Sequence, residues 1–134
     1  MNATLDVDID EQPHRGASDG RSMLSFQRLR VYQRSIDFLA FMEVIASLPK
    51  GHTDLADQLL RAAQSQPRNI AEGAGRRTTV DQARFDTIAR GSAMEATAAL
   101  DTLLVMKLVA DDAHARGIEL LEGVVAMLTK MTGQ

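Results

Sequence analysis

Four stretches of apolar residues at helical spacing, separated by three short turn signals, constrain the fold of this chain most strongly. Within each stretch the apolar side chains recur at intervals of three and four residues, which places them along one side of an α-helix. No segment alternates with the period of two that a half-buried strand shows. The sequence therefore predicts an all-α protein, an antiparallel up-down four-helix bundle. The expected stripe of the first helix is Leu29, Tyr32, Ile36, Leu39 and Met42, with Val31, Phe38, Phe41, Ile45 and Leu48 beside it.

Proline, glycine and small polar residues mark the expected helix ends. Pro49 and Gly51 end the first helix. Pro67 lies inside the second helix, where its missing N–H predicts a kink, and Gly73 and Gly75 are its expected C-terminal caps. The expected N-caps are Thr53 for the second helix, Thr79 for the third, in a capping box with Gln82, and Asp111 or Asp112 for the fourth.

Charge divides the chain into an acidic arm and a mildly basic bundle. Residues 1–24 are polar and poor in residues that could form a core, so we expect a flexible N-terminal arm, followed by the bundle at 25–134. Residues 1–20 contain five acidic side chains against Arg15, a net charge of −4. The segment from Arg61 to Arg90, with both end residues included, contains six arginines and three acidic residues, a local charge of +3. A second interpretation of the arm is an electrostatic cover over this basic region.

Several classes of site have no support in the composition. The chain has no cysteine, which excludes disulfides and thiolate metal sites and fits a cytoplasmic protein. No apolar run approaches the roughly 20 residues of a membrane span. His14, His52 and His114 are isolated from one another, so no metal or other cofactor is expected.

The stretch "QPRNIAEGAGRR", Gln66 to Arg77, invites a phosphate-loop interpretation. A dinucleotide fingerprint needs a preceding strand and a third glycine, but position 78 is Thr, and the Gly-Lys-Ser/Thr of a Walker motif is missing. The end of a helix explains the two glycines better. Glu72 has an arginine one helical turn away on either side, which is typical of surface ion pairs. Because no second acid, histidine or nucleophile accompanies it, the sequence supports no enzymatic activity.

Four blocks of the chain resemble a known family. They are "LRVYQRSIDF", "LPKG", "LADQLLRAAQSQPRNIAEGAGRR" and "FDTIARGSAMEATAALDTLL", and they extend from Leu29 to Leu104. In this order and spacing they look like the four-helix-bundle proteins first met in intervening sequences of 23S ribosomal RNA genes. The chain departs from the usual pattern at Leu60, Gln64, Gln66 and Arg68. The most specific matching positions are Ser65, Pro67, Asn69, Ile70, Ala71, Glu72, Gly73, Arg76, Gly91, Ser92 and Glu95.

The resemblance implies an up-down four-helix bundle that assembles as a homopentameric ring and has no known enzymatic activity. Related accessory proteins of diversity-generating retroelements use a basic pentameric barrel to contact nucleic acid and a reverse transcriptase. Asn69 and Glu72 are three residues apart and can share a face, where polar side chains need partners, so both are candidate structural or interface residues. Glu95, one of the matching positions, is a third candidate. Apolar residues on more than one face of the first and fourth helices also favour self-association.

The arginines are the remaining candidates for function. We expect Arg68, Arg76, Arg77 and Arg84 to cluster where the second helix ends and the third begins. Repeated around a ring, such a cluster would attract the phosphates of RNA or DNA. Since no aromatic residues are interleaved with these arginines, we expect contacts to the backbone and little sequence specificity. The alternatives are solvated arginines balanced by Asp81 and Asp86, and a protein-binding adaptor with no nucleic-acid role. A nucleic-acid-processing protein is a further possible partner, and no membrane association is expected.

Overall fold

The computed structural model describes residues 24–133 and contains four α-helices. They are α1, Arg30–Phe41, α2, Thr53–Ala74, α3, Thr79–Val105, and α4, Asp111–Met131. Short 3-10 helices at Ser25–Arg28 and Met42–Ser47 flank α1. Consecutive helices pack against each other and α4 also packs against α1, which closes the bundle. The predicted all-α four-helix bundle is confirmed, and the described residues form no strand. The arm predicted at residues 1–24 lies outside the described residues, except for Leu24.

Alanine residues of α2 and α3 form much of the core. Ala62 and Ala63 of α2 are buried, as are four alanines of α3. Side chains this short let the backbones of two helices approach closely, so the two helices pack tightly without large side chains between them. Leucine and phenylalanine fill the wider parts of the bundle, each contributing about 1.5–3 kcal/mol by full burial. The largest fully buried apolar side chains are Phe38, Leu59, Ile70, Leu100, Leu103, Leu121 and Leu128.

The buried stripe of α1 is rotated from the predicted one. Val31, Ser35, Phe38 and Met42 are buried, at spacings of four, three and four. The predicted members other than Met42 are only half-buried. The first helix carries apolar residues over a wide face, so sequence periodicity alone did not select which of two adjacent stripes faces the core. Ser35 is accommodated there because its hydroxyl donates a hydrogen bond to the Tyr32 carbonyl at 2.6 Å.

All three predicted N-caps are wrong, each by one residue or two. The N-cap of α3 is Thr78, whose Oγ1 accepts the Asp81 N–H at 3.1 Å, and not Thr79. The N-cap of α2 is His52, because Thr53 already has helical geometry. The N-cap of α4 is Ala110, with Asp111 as the first helical residue. Both aspartates at the start of α4 still lie in its first turn, where negative charge favours the helix.

The second helix continues through Pro67 and ends at Ala74, with Gly75 as its C-cap. The prediction for Gly75 is therefore confirmed. The prediction for Gly73 is wrong, because this glycine is a buried helical residue. Its role comes from packing against α3.

Candidate nucleic-acid interface

Close packing of α2 on α3 begins at Gly73. A Cβ atom at this position would lie 3.1 Å from the Phe85 Cβ and 3.1 Å from the Gln82 carbonyl oxygen. Such contacts are tighter than side chains normally allow, so glycine lets α3 approach the last turn of α2. This approach brings the start of α3 next to the arginines that follow Gly73.

Two of these arginines share one aromatic ring. The guanidinium carbon of Arg76 lies 4.5 Å from the centre of the Phe85 ring, and that of Arg84 lies 5.3 Å from it. Both distances are within the range of cation–π attraction. Arg76 also donates a hydrogen bond to the Glu72 carboxylate, and Arg84 forms an ion pair with Asp81 at 3.6 Å. We refer to Arg76, Arg77, Arg84 and Phe85 as the arginine corner.

The other two candidate arginines are placed differently. Arg77 is exposed in the loop between α2 and α3 and belongs to the corner by its position. Arg68 is exposed on α2, eight residues before Arg76, about 12 Å away along the helix axis. Neither forms an ion pair with another residue of the described range. Glu72, expected between two arginines, pairs with Arg76 and not with Arg68.

The aromatic ring in the corner is the feature that sequence reasoning missed. Phe85 carries the pattern of a core residue of the third helix, and the expected absence of interleaved aromatics was wrong. Arg76 lies in the loop after α2 and Phe85 lies nine residues later on α3, so no helical periodicity connects them. The available signal was Gly73, whose place in the buried stripe of α2 indicates a close approach by a neighbouring helix.

The sequence suggested that Asp86 balances the charge of the arginines at the surface, but the structure shows that it does not. Its side chain is buried, with 2% exposure, and makes no hydrogen bond or ion pair among the described residues. Its Oδ1 lies 3.2 Å from the position that a Cβ of residue 73 would take. Burial disfavours the charged form and raises the pKa of this carboxyl from 3.8 to about 6.

Ser65, Asn69 and Ser92 form a polar bridge between α2 and α3. The hydroxyls of Ser65 and Ser92 are hydrogen-bonded at 2.7 Å. The Asn69 amide donates to the Ser65 carbonyl at 2.8 Å and to its hydroxyl at 3.0 Å. Asn69 thus finds hydrogen-bond partners within its own bundle, and its role as a structural or interface residue stays a prediction. Glu95 is exposed and has no hydrogen bond or ion pair in the described part of the chain, so its role as an interface residue stays a prediction.

The bundle is electrically polarised along its axis. The half that contains the arginine corner comprises residues 24–37, 64–92 and 122–133, with nine Lys and Arg against five Asp and Glu, a charge of +4. The other half, residues 38–63 and 93–121, has four Lys and Arg against eight Asp and Glu, a charge of −4. The net charge of the described residues is zero, so the charge is separated rather than in excess.

A shallow groove of about 430 Å³ lies between α3 and α4. Its lining is mainly apolar, and Met94 leaves 46% of its surface exposed there. The sequence led us to expect exposed apolar faces on the first and fourth helices. Instead, four of the exposed large apolar side chains lie on α3 and none lies on α1 or α4. The groove residues are Met94, Thr97, Glu122, Val125 and Ala126, and the exposed ones of α3 are Val80, Ile88, Met94 and Val105.

Other kinds of site find no support in residues 24–133. No three histidine or acidic side chains come together in a way that could hold a metal ion. His114 bonds with Asp101 at 2.8 Å, at the opposite end of the bundle from the arginine corner. Among the helices of this range, none has the length and hydropathy needed to cross a membrane.

The family of the chain follows from the extent of its match. A family model described as 23S rRNA-intervening sequence protein matches residues 27–130. The chain belongs to this family. The match covers all four helices apart from the last residue of α4, so it includes the fourth helix, which lies beyond the sequence blocks that end at Leu104.

A solved structure supports the same architecture for this 23S rRNA-intervening sequence protein. It is a protein with unknown function from the S23 ribosomal protein family of Bacteroides thetaiotaomicron, with a TM-score of 0.71. The similarity covers 78% of this chain and 99% of the other, at 18% sequence identity. At that identity, the likeness establishes the fold and no more. A comparison with curated proteins found no match.

Proposed function

We propose that this protein is a non-enzymatic, homo-oligomeric scaffold in the cytoplasm that binds RNA or DNA through its basic half. The observation that carries the proposal is the axial charge separation, with all four candidate arginines in the +4 half. A polyanion is attracted to such a surface even though the whole chain has a net charge of −3.

Arg68 and Arg77 are the strongest candidates for phosphate contacts. Both are exposed, and neither is neutralised by a carboxylate of the described residues. Contacts of this kind release counterions from the nucleic acid, so binding weakens steeply with salt and depends little on sequence.

Assembly into a ring, pentameric as the family resemblance implies, would repeat this surface. The apolar side chains exposed on α3 and the groove beside Met94 support self-association, because a bundle that works alone has little reason to display them. Native mass spectrometry measures the number of copies. A monomer at micromolar concentration would contradict this part of the proposal.

Fluorescence anisotropy with labelled RNA and DNA oligonucleotides, at several salt concentrations, tests binding. We expect Arg68→Ala/Arg77→Ala to weaken binding and to reduce the slope of log K against log salt by about 1.4 per copy for a single strand, at about 0.7 per phosphate. Arg61→Ala/Arg116→Ala removes the same charge from the acidic half and is the matched control. Absence of binding at low salt, or equal losses in the two double variants, would refute the nucleic-acid role.

The groove between α3 and α4 favours a second function, that of a protein-binding adaptor. In this case the protein has no nucleic-acid role, and a partner protein is held by apolar contacts with residues such as Met94 and Val125. Such binding is insensitive to salt and is lost in Met94→Asp, whereas Arg68→Ala/Arg77→Ala leaves it intact. Either outcome separates the adaptor from the nucleic-acid scaffold.

A further inference from the structure

The two guanidinium groups over the Phe85 ring differ from ordinary surface arginines in what they leave free. The Nη2 atom of Arg76 is bonded to Glu72, and the Nη2 atom of Arg84 lies 3.6 Å from an oxygen of Asp81. A phosphate binds to the N–H groups of a guanidinium, and one nitrogen of each of these two groups already lies beside a carboxylate. The carboxylates also repel an approaching phosphate.

Each of the two side chains nevertheless remains partly open to solvent. The side chains of Arg76 and Arg84 are 38% and 67% exposed, although each lies over the ring. The ring and the carboxylate together restrict each side chain, so less conformational entropy is lost when a ligand binds. A planar cation of this kind is a surface on which an unpaired nucleobase stacks.

We propose that the arginine corner binds an unpaired base of a single-stranded nucleic acid, stacked on the guanidinium face of Arg76 or Arg84. In this arrangement Arg77, and Arg68 further along α2, contact the flanking phosphates. The inference rests on the proposed function and adds to it the class of ligand, single strands in preference to duplexes. In a duplex the bases are already stacked on one another, so Arg76 and Arg84 would meet only phosphates and gain no stacking contact.

The contact of the Phe85 ring with the arginines depends on how α3 packs on α2. The ring reaches the arginines because Gly73 allows α3 to lie 3.1 Å from the site of a missing Cβ. A leucine at position 85 would retain an apolar side chain against α2, but it has no π-face to hold the guanidinium groups.

Three labelled probes separate stacking from charge: a 12-nucleotide single strand, the same strand with abasic sites throughout, and a 12-base-pair duplex. The first and second carry the same phosphates, so their difference measures the bases alone. We expect the wild-type chain to bind the normal single strand roughly tenfold more tightly than the abasic strand, a typical effect of stacking.

The decisive variant is Arg76→Lys/Arg84→Lys, which keeps both charges and removes both planar faces. It should lose most of the preference for the normal strand over the abasic strand, while its duplex affinity and salt slope stay within twofold of wild type. Arg68→Lys/Arg77→Lys is the matched control and should retain the preference. Phe85→Leu should reduce the preference in the same direction, with circular dichroism confirming its fold.

The signature of stacking is direct. A 2-aminopurine placed in the single strand should be quenched by the wild-type chain and less quenched by the double lysine variant. Equal affinity for normal and abasic strands, or parallel losses for single strand and duplex in the lysine variant, would overturn the inference while leaving the nucleic-acid scaffold intact. Failure of all three probes to bind at low salt would instead reject the proposed function itself.

Discussion

Asp86 gives the sharpest prediction about stability, because its carboxyl is buried without a partner among the described residues. Burial raises its pKa from 3.8 to about 6, so the folded state binds this proton more tightly than the unfolded state. The contribution of Asp86 is therefore most favourable below pH 4, falls between pH 4 and 6, and is constant at higher pH. Each pKa unit corresponds to about 1.4 kcal/mol, so the loss amounts to about 3 kcal/mol.

The perturbation that isolates this contribution is Asp86→Asn, which cannot ionise. Urea unfolding at fixed protein concentration, repeated from pH 3.5 to 8, gives the free energy of unfolding of both chains. The advantage of the variant should grow by about 3 kcal/mol across this range, with most of the change below pH 6.5. The change with pH is diagnostic, since a constant offset reflects only how well the amide fits.

Asp81→Asn is the matched control, because Asp81 is a neighbouring acid on the same helix with a half-exposed side chain. Removing the charge of a surface ion pair should alter the free energy of unfolding by less than about 1 kcal/mol. If the curves of wild type and Asp86→Asn run parallel at all pH values, the carboxyl is solvated in the folded protein and the reasoning from burial is wrong.

Two further predictions concern the backbone and use the same unfolding assay at pH 7. Gly117→Ala should cost roughly 1–3 kcal/mol by overpacking, since its Cβ would lie 2.6 Å from a Leu100 methyl carbon. In the control variant Gly91→Ala the new Cβ meets nothing within 4 Å, so this change should stabilise the helix by about 1 kcal/mol. Equal effects of the two changes would contradict the packing of α4 on α3. Lys107→Gly should stabilise the chain by about 1 kcal/mol, because Lys107 has a φ of 60°, a left-handed conformation that favours glycine. A loss in that variant would mean that the lysine side chain contributes more than the strain costs.

The positions of the helices could be predicted from the sequence because they depend on local patterns. Apolar spacing located all four, and Gly75 marked the end of the second. The expected end of the first at Pro49 was wrong, since α1 ends at Phe41 and the chain continues as the 3-10 helix Met42–Ser47. The face that α1 turns to the core could not be predicted, because two apolar stripes compete on this helix. Only the other three helices decide that Val31 and Phe38 are buried and that Ile36 is not.

The candidate site shows the same limit at a finer scale. The arginines were identifiable as a cluster along the chain, but the contact of Arg76 with the Phe85 ring depends on how closely α3 packs against the end of α2. Likewise, Asp86 has the local sequence of a surface residue and becomes a buried acid only because it faces Gly73. The turn at Lys107 lacks the glycine that usually marks such a conformation, so the sequence contained no sign of it.

The separation of charge along the bundle has a consequence for any ring in which the copies point the same way. Ends of like sign then become neighbours, so the subunits repel one another at both rims, and dilute buffer should loosen the ring. A polyanion lying across the cationic rim acts as a shared counterion and removes half of that repulsion. Binding of the polyanion and association of the subunits are then linked equilibria, each promoting the other.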